Sequence, residues 1–143
     1  MIPRHLERPV RYEELDHTAD VGIRAYGASL EELFVNAAAG MFSLIADLET
    51  VRPRGEVQVQ VKGDDLGGLL VNWLQELLFL HETQHLLLCE FEAALDGTSL
   101  TGRARGEKID KHRHELKLAI KAVTYHHLRI DPAKGIAEVI FDI

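Results

Sequence analysis

The sequence predicts a single α+β domain in which two helices pack on one face of a mainly antiparallel β-sheet. Three observations lead there: two segments carry apolar residues at three- and four-residue steps, several others alternate apolar with polar residues, and turn formers separate the alternating segments. A chain of 143 residues, 46% of them hydrophobic, can enclose one continuous core. No low-complexity stretch, long linker or fixed-period repeat divides it. Residues 10–143 are therefore expected to form the domain, with residues 1–9 a short N-terminal extension.

Val21, Ile23 and Ala25 alternate with other residues as in a half-buried strand, and Gly27 closes it. Ser29 followed three residues later by Glu32 matches a capping box, in which hydroxyl and carboxylate satisfy amides orphaned in the first turn of a helix. Leu30, Leu33, Phe34, Ala37, Ala38, Met41 and Ile45 then form one apolar stripe. Pro53 and Gly55 punctuate the connection to a strand in which Val57, Val59 and Val61 alternate with Glu56, Gln58 and Gln60, leaving one face wet. Gly63-Asp64-Asp65 leads into Leu66, Leu69, Leu70, Trp73, Leu74, Leu77, Leu78 and His81, a second amphipathic helix with an acidic start that suits its dipole.

Beyond Gln84 the pattern is that of β structure: residues 86–95, a turn at Asp96-Gly97, then residues 100–105. Residues 110–114 are polar enough to be a loop. Residues 120–130 and 136–143 read as a last pair of strands joined by Asp131-Pro132-Ala133-Lys134-Gly135.

Composition narrows the functional classes. Lys and Arg number 16 against 23 Asp and Glu, a formal charge of -7, which disfavours a broad basic surface tracking a phosphate backbone. An acidic balance suits a protein that binds cations or docks on a basic macromolecule. The lone Cys89 excludes an internal disulfide and any site built from several thiolates, and its apolar neighbours suggest a buried structural thiol. Arg4, Glu7 and Arg8 interrupt anything resembling a signal peptide, and the apolar stretches fall short of the roughly 18 residues that span a bilayer. The expected setting is cytoplasmic, without membrane contact.

Asp16-His17-Thr18-Ala19-Asp20 concentrates polar side chains just before a strand that heads for the core. Carboxylate oxygens are hard ligands for Ca, Mg or Mn ions, and an imidazole adds a ligand or a supporting hydrogen bond. The alternative is a turn in which Asp16 or Thr18 caps a backbone amide. At the other end, Ile136, Val139, Ile140, Phe141 and Ile143 are too apolar for a frayed tail, so the last strand is expected to pack into the sheet. Strand alternation leaves Ile143 able to offer a site only its terminal carboxylate or carbonyl oxygen, beside the carboxylate of Asp142. Negative charges so close repel unless a proton or cation is shared, or unless both face water.

Two further histidine groupings, His112 with His114 and His81 with His85, have no evident carboxylate or cysteine partner and read as solvated or helix-end residues. Lys121 is a candidate contact for a partner's phosphate or nucleotide, against the simpler reading of an exposed strand-end lysine.

Asp16-His17-Thr18-Ala19-Asp20-Val21-Gly22-Ile23, followed by Gly27-x-Ser29-Leu30-Glu31-Glu32, resembles the N-terminal signature of the archeases. Leu77-Leu78-Phe79-Leu80, Lys121-Ala122-Val123-Thr124-Tyr125-His126 and the closing Asp142-Ile143 extend the resemblance over nearly the whole chain beyond Val10. The resemblance implies a divalent metal ion, calcium foremost with manganese or magnesium as alternatives, held by Asp20, Asp142 and the main-chain oxygen of Ile143. Asp16, His17, His126 and Lys121 are then candidates to support the ligands or touch a partner. It also implies an accessory protein rather than an enzyme, one that activates an RtcB-type, GTP-dependent tRNA-splicing ligase by promoting its guanylylation and repeated turnover. Association with tRNA would be indirect, with no sequence-specific nucleic-acid binding. Two other readings stay open: a general chaperone-like modulator, and a stand-alone metal-dependent phosphoesterase. The second would need more Asp and His ligands than the motifs supply, and no P-loop or nucleophile motif is present.

Overall fold

The computed structural model describes residues 10–16 and 20–143, so the expected N-terminal extension, residues 1–9, lies outside the described residues. In chain order the elements are β1 (Tyr12–Asp16), β2 (Val21–Tyr26), α1 (Leu30–Ile45), a single 3-10 turn (Leu48–Thr50), β3 (Gly55–Lys62), α2 (Leu66–Gln84), β4 (Leu86–Asp96), β5 (Ser99–Lys108), β6 (Ala122–Val123), β7 (Arg129–Asp131) and β8 (Ile136–Asp142). The α+β class holds. The strands divide between two antiparallel sheets: a five-stranded one in which β8 lies between β2 and the pair β6 and β7, and a three-stranded one ordered β3-β5-β4. Helix α1 touches strands of both, β2 in the first and β4 in the second. This enclosure explains why α1 is buried almost all round, including its Ala37-Ala38-Ala39 run, and not only along the stripe read from sequence.

Both helices begin as the sequence dictates. Ser29 Oγ accepts from the Glu32 amide at 3.1 Å, and the Glu32 carboxylate accepts from Ala28 N at 2.8 Å, one residue ahead of the cap itself. Replacing Ser29 by Ala removes the first of these bonds and is expected to cost about 1 kcal/mol of stability, read as a lower urea midpoint with an unchanged slope. Asp65 caps α2 by accepting from Gly68 N at 2.7 Å. At the far end His85 takes a left-handed conformation, φ 56°, and His81 Nδ1 lies 2.7 Å from the Leu86 carbonyl. His81 and His85 thus serve as helix-end residues.

Trp73 ties the layers together. Its fully buried ring rests on Gly102 of β5, and its Nε1 donates to the Phe34 carbonyl of α1 at 3.0 Å. Cys89 is half-buried rather than buried. It is the extra residue of a bulge between Leu88 and Glu90, and burial pushes its thiol pKa up.

Residues 120–130 differ from the continuous strand expected. β6 and β7 both pair with β8, but residues 124–128 stand opposite only residues 139–140, so the surplus is pushed out as a turn. Thr124 ends the first ladder by bonding the Ile140 carbonyl through both its amide and its hydroxyl. Leu128 then drops against Gly67 at the start of α2. The apolar residues switch parity between Val123 and Leu128, which an unbroken strand cannot accommodate without exposing one of them.

Candidate functional site

The last strand positions the site because its core face is apolar and its edges are both occupied. Ala137, Val139 and Phe141 are buried, and Phe141 is the register partner of Val21 on one side and of Val123 on the other. Asp20 immediately precedes Val21 and Asp142 immediately follows Phe141, so the register brings the two aspartates to the same end of one sheet. Asp20 is half-buried and Asp142 exposed. Ile143, 45% exposed, follows directly. On the far side Ala122 pairs with Asp142, and Lys121 N donates to the Asp142 carbonyl at 2.8 Å. Residues from opposite ends of the chain, Asp20, Asp142, Ile143 and Lys121, are therefore gathered at one sheet end.

The other predicted site residues fall around this point. His126 sits in the adjoining 124–128 turn, its amide donating to Thr124 Oγ1 at 3.2 Å and its ring centroid 4.1 Å from that of His127. Asp16 ends β1 opposite Val21, while His17 lies outside the described residues. Among the described residues no group of three or more His, Cys, Asp or Glu side chains could hold a metal ion by itself. A donor set of two carboxylates and a main-chain oxygen, all hard, suits a calcium-like cation that completes its shell with water. The residues fit such an ion and do not fit a softer metal that needs thiolate or several imidazoles.

Next along the same sheet face, Arg24 bridges Glu13 at 2.8 Å and Glu138 at 3.2 Å, and Arg129 reaches Glu138 at 3.2 Å. Hydrogen bonds to Tyr26 and Glu138 hold the Arg24 guanidinium above its usual range. A cavity of about 330 Å³ lined by Leu15, His127, Arg129, Glu138 and Ile140 opens there.

A second polar cluster went unread in the sequence. Glu107, 8% exposed, accepts two bonds from Arg113 at 2.7 and 2.8 Å, one from Arg52 N at 2.8 Å, and lies 3.0 Å from His114 Nε2. His114 is 4% exposed, so of the pair His112 and His114 only His112 is solvated; His114 has the carboxylate partner that the sequence did not reveal. The ligating signal was hidden because the partner lies across a loop, at the end of β5, where alternation gave no reason to expect a buried acid. Bonding to Arg113 holds the Glu107 carboxyl well below the usual carboxylate range, against the opposing effect of burial. The buried Glu107 carboxylate and His114 ring direct their hydrogen bonds to neighbouring parts of the chain, as in a structural clamp, while Arg113 and Arg54 at 3.7 Å reach it from the surface.

Among the described residues no helix is long and apolar enough to cross a membrane. Residues 12–143 match the family model described as the Archease protein family (MTH1598/TM1083). Protein archease of Pyrococcus abyssi is 39% identical over 140 residues, covering 93% of this chain and 99% of that protein. Protein archease of Methanothermobacter thermautotrophicus is 42% identical over 138 residues, covering 92% and 98%. A solved structure, the solution structure of Methanobacterium thermoautotrophicum protein 1598, is similar with a TM-score of 0.80 and 40% identity, over 93% of this chain and 99% of that one. With the match running from the first strand to the last and taking in the residues that meet at the sheet end, the chain belongs to the archease family.

Proposed function

We propose that this protein is a metal-binding accessory factor that activates an RtcB-type, GTP-dependent tRNA-splicing ligase in the cytoplasm, promoting guanylylation of the ligase and its multiple turnover. The observation that carries the reading is the register Val21 to Phe141, which joins Asp20 to Asp142 at one end of the sheet in a chain of archease sequence. Asp20, Asp142 and the main-chain oxygen of Ile143 would hold the divalent cation. Calcium fits this donor set best, with manganese or magnesium as alternatives. When bound, the cation supplies positive charge that can stabilise phosphate oxygens during nucleotidyl transfer.

The chain's own residues do the rest. Asp20 and Asp142 present fixed negative charge at an exposed sheet end, which suits approach to a ligase surface rich in metal and basic side chains. Lys121, its main chain anchored to Asp142, and His126 on the adjoining turn flank that end, where they can contact a nucleotide or the ligase. Direct, sequence-specific contact with RNA is not required by this arrangement, and the net charge of -7 disfavours it.

Ligation of RNA with a 2′,3′-cyclic phosphate end by the matching ligase, with substoichiometric amounts of this protein, tests the reading. Wild type is expected to raise the number of turnovers, while Asp20→Ala and Asp142→Ala leave the ligase at its unaided rate and weaken calcium binding at least about tenfold by calorimetry. Full stimulation by both folded variants would overturn the role given to the aspartates. Turnover of phosphoesters by the purified protein alone would favour the phosphoesterase instead.

A further inference from the structure

Among the described residues the two sheets present four outer strands, and three are protected against pairing with another chain. β1 has only five residues, the β6 and β7 edge is broken by its turn, and β4 carries the Cys89 bulge. β3 differs. Its eight residues, Gly55–Lys62, pair with β5 in unbroken register, and Pro53 falls short of the strand. Gly63 N bonds the carbonyl of Thr98, the residue just before β5 and in continuous register with it, so by alternation Val61, Val59, Val57 and Gly55 turn their main-chain groups toward β5. Glu56, Gln58, Gln60 and Lys62 turn theirs outward, to the edge that no described strand pairs.

We infer that this edge pairs antiparallel with the same edge of a second copy of the chain, about a two-fold axis at Val59. In that register Gln58 exchanges main-chain bonds with Gln60 of the second copy, and Glu56 stands opposite Lys62 of the second copy, twice by symmetry. Val57 meets Val61 of the second copy on the side that faces the helices, and the two Val59 residues meet on the axis. The half-burial of Val57 and Val61, flanking a buried Val59, leaves apolar surface for this contact to cover.

The charges select the register. Outward-facing groups restrict the axis to shifts that pair even-numbered residues with even-numbered ones. Moving it to Gln58 sets Arg54 against Lys62, and moving it to Gln60 sets Glu56 against Asp64, like charges in both cases. Only the axis at Val59 joins opposite charges. Asn72 of α2 marks the helix stripe beside the edge, since its Nδ2 donates to the outward Lys62 carbonyl at 2.7 Å. Phe79, seven residues on along that stripe, is 52% exposed and extends the apolar contact beneath the joined strands.

Sedimentation equilibrium of the full chain tests the pairing. Wild type is expected to dimerise, and Lys62→Glu to raise the dissociation constant at least about tenfold by setting acid against acid. The double variant Glu56→Lys with Lys62→Glu restores opposite charges and should return the dimer. Gln58→Pro removes only an outward N–H and should also give monomer; should it misfold by circular dichroism, the charge variants decide. A wild type still monomeric at about 1 mM, or a dimer indifferent to both Lys62→Glu and the restoring pair, overturns the inference.

Discussion

Replacing Glu107 by Gln is expected to lower the free energy of unfolding by about 2 kcal/mol, the scale for charge-assisted hydrogen bonds to a buried carboxylate. The carboxylate accepts from Arg113, Arg52 N and His114, so an amide nitrogen in place of one oxygen sets donor against donor. His114 Nδ1 accepts from Asp110 N at 2.9 Å, which assigns the ring proton to Nε2 and makes His114 a neutral donor to Glu107. The loss reaches beyond the cluster, because Arg113 also donates to the Thr50 carbonyl at 2.9 Å and so ties the 3-10 turn after α1 to the loop after β5.

The same carboxylate gives stability a pH dependence of fixed sign. Its folded-state pKa is lowered, principally by Arg113, from the ordinary value of 4.5. Its contribution is therefore complete above that ordinary value and is lost as pH falls through the lower folded one. Urea midpoints measured from neutral to strongly acid solution should fall for wild type and fall less for Glu107→Gln. Equal midpoints for the two proteins at neutral pH would show that the clamp contributes nothing.

Gly102→Ala is the second large effect, expected at about 3 kcal/mol, the upper end for overfilling a packed core. A Cβ at residue 102 would lie 2.6 and 2.8 Å from two ring atoms of Trp73 and 3.0 Å from the Glu92 carbonyl. The ring cannot retreat, since it is fully buried and its Nε1 is bonded to Phe34. Yielding would break that bond or push β5 from α2. Trp73 is the only tryptophan, so its fluorescence reports the outcome directly: a red-shifted native spectrum with a lowered melting temperature is expected. An unchanged spectrum and midpoint would mean that the sheet shifts at little cost.

Much of the fold was legible because local pattern and packing agree. The stripe from Leu30 to Ile45, the Ser29 cap, the acidic start of the second helix at Asp64-Asp65, and the Val57, Val59 and Val61 alternation each became the expected element. What sequence could not show is which strands share a sheet, since that depends on pairings between distant segments such as β2 with β8. The break at residues 124–128 was written in the parity switch between Val123 and Leu128, but a turn without Gly or Pro offers no local marker. For the site, Asp20 and Asp142 were singled out through family resemblance, and the register of Val21 with Phe141 gives a physical reason for their lying at the same sheet end. Glu107 and His114 were not, because burial of an acid is a tertiary fact that neither composition nor spacing encodes.

The central place of β8 carries a consequence for biogenesis. This strand leaves the ribosome after every other described element, yet β2, among the first of them, depends on it for a hydrogen-bonded neighbour. A nascent chain that stops before Ile136 leaves Val21, Ile23 and Ala25 without their partners Phe141, Val139 and Ala137. A chain that lacks β8 can neither close the larger sheet nor bring Asp20 and Asp142 to one end of it, so it is left open to proteolysis.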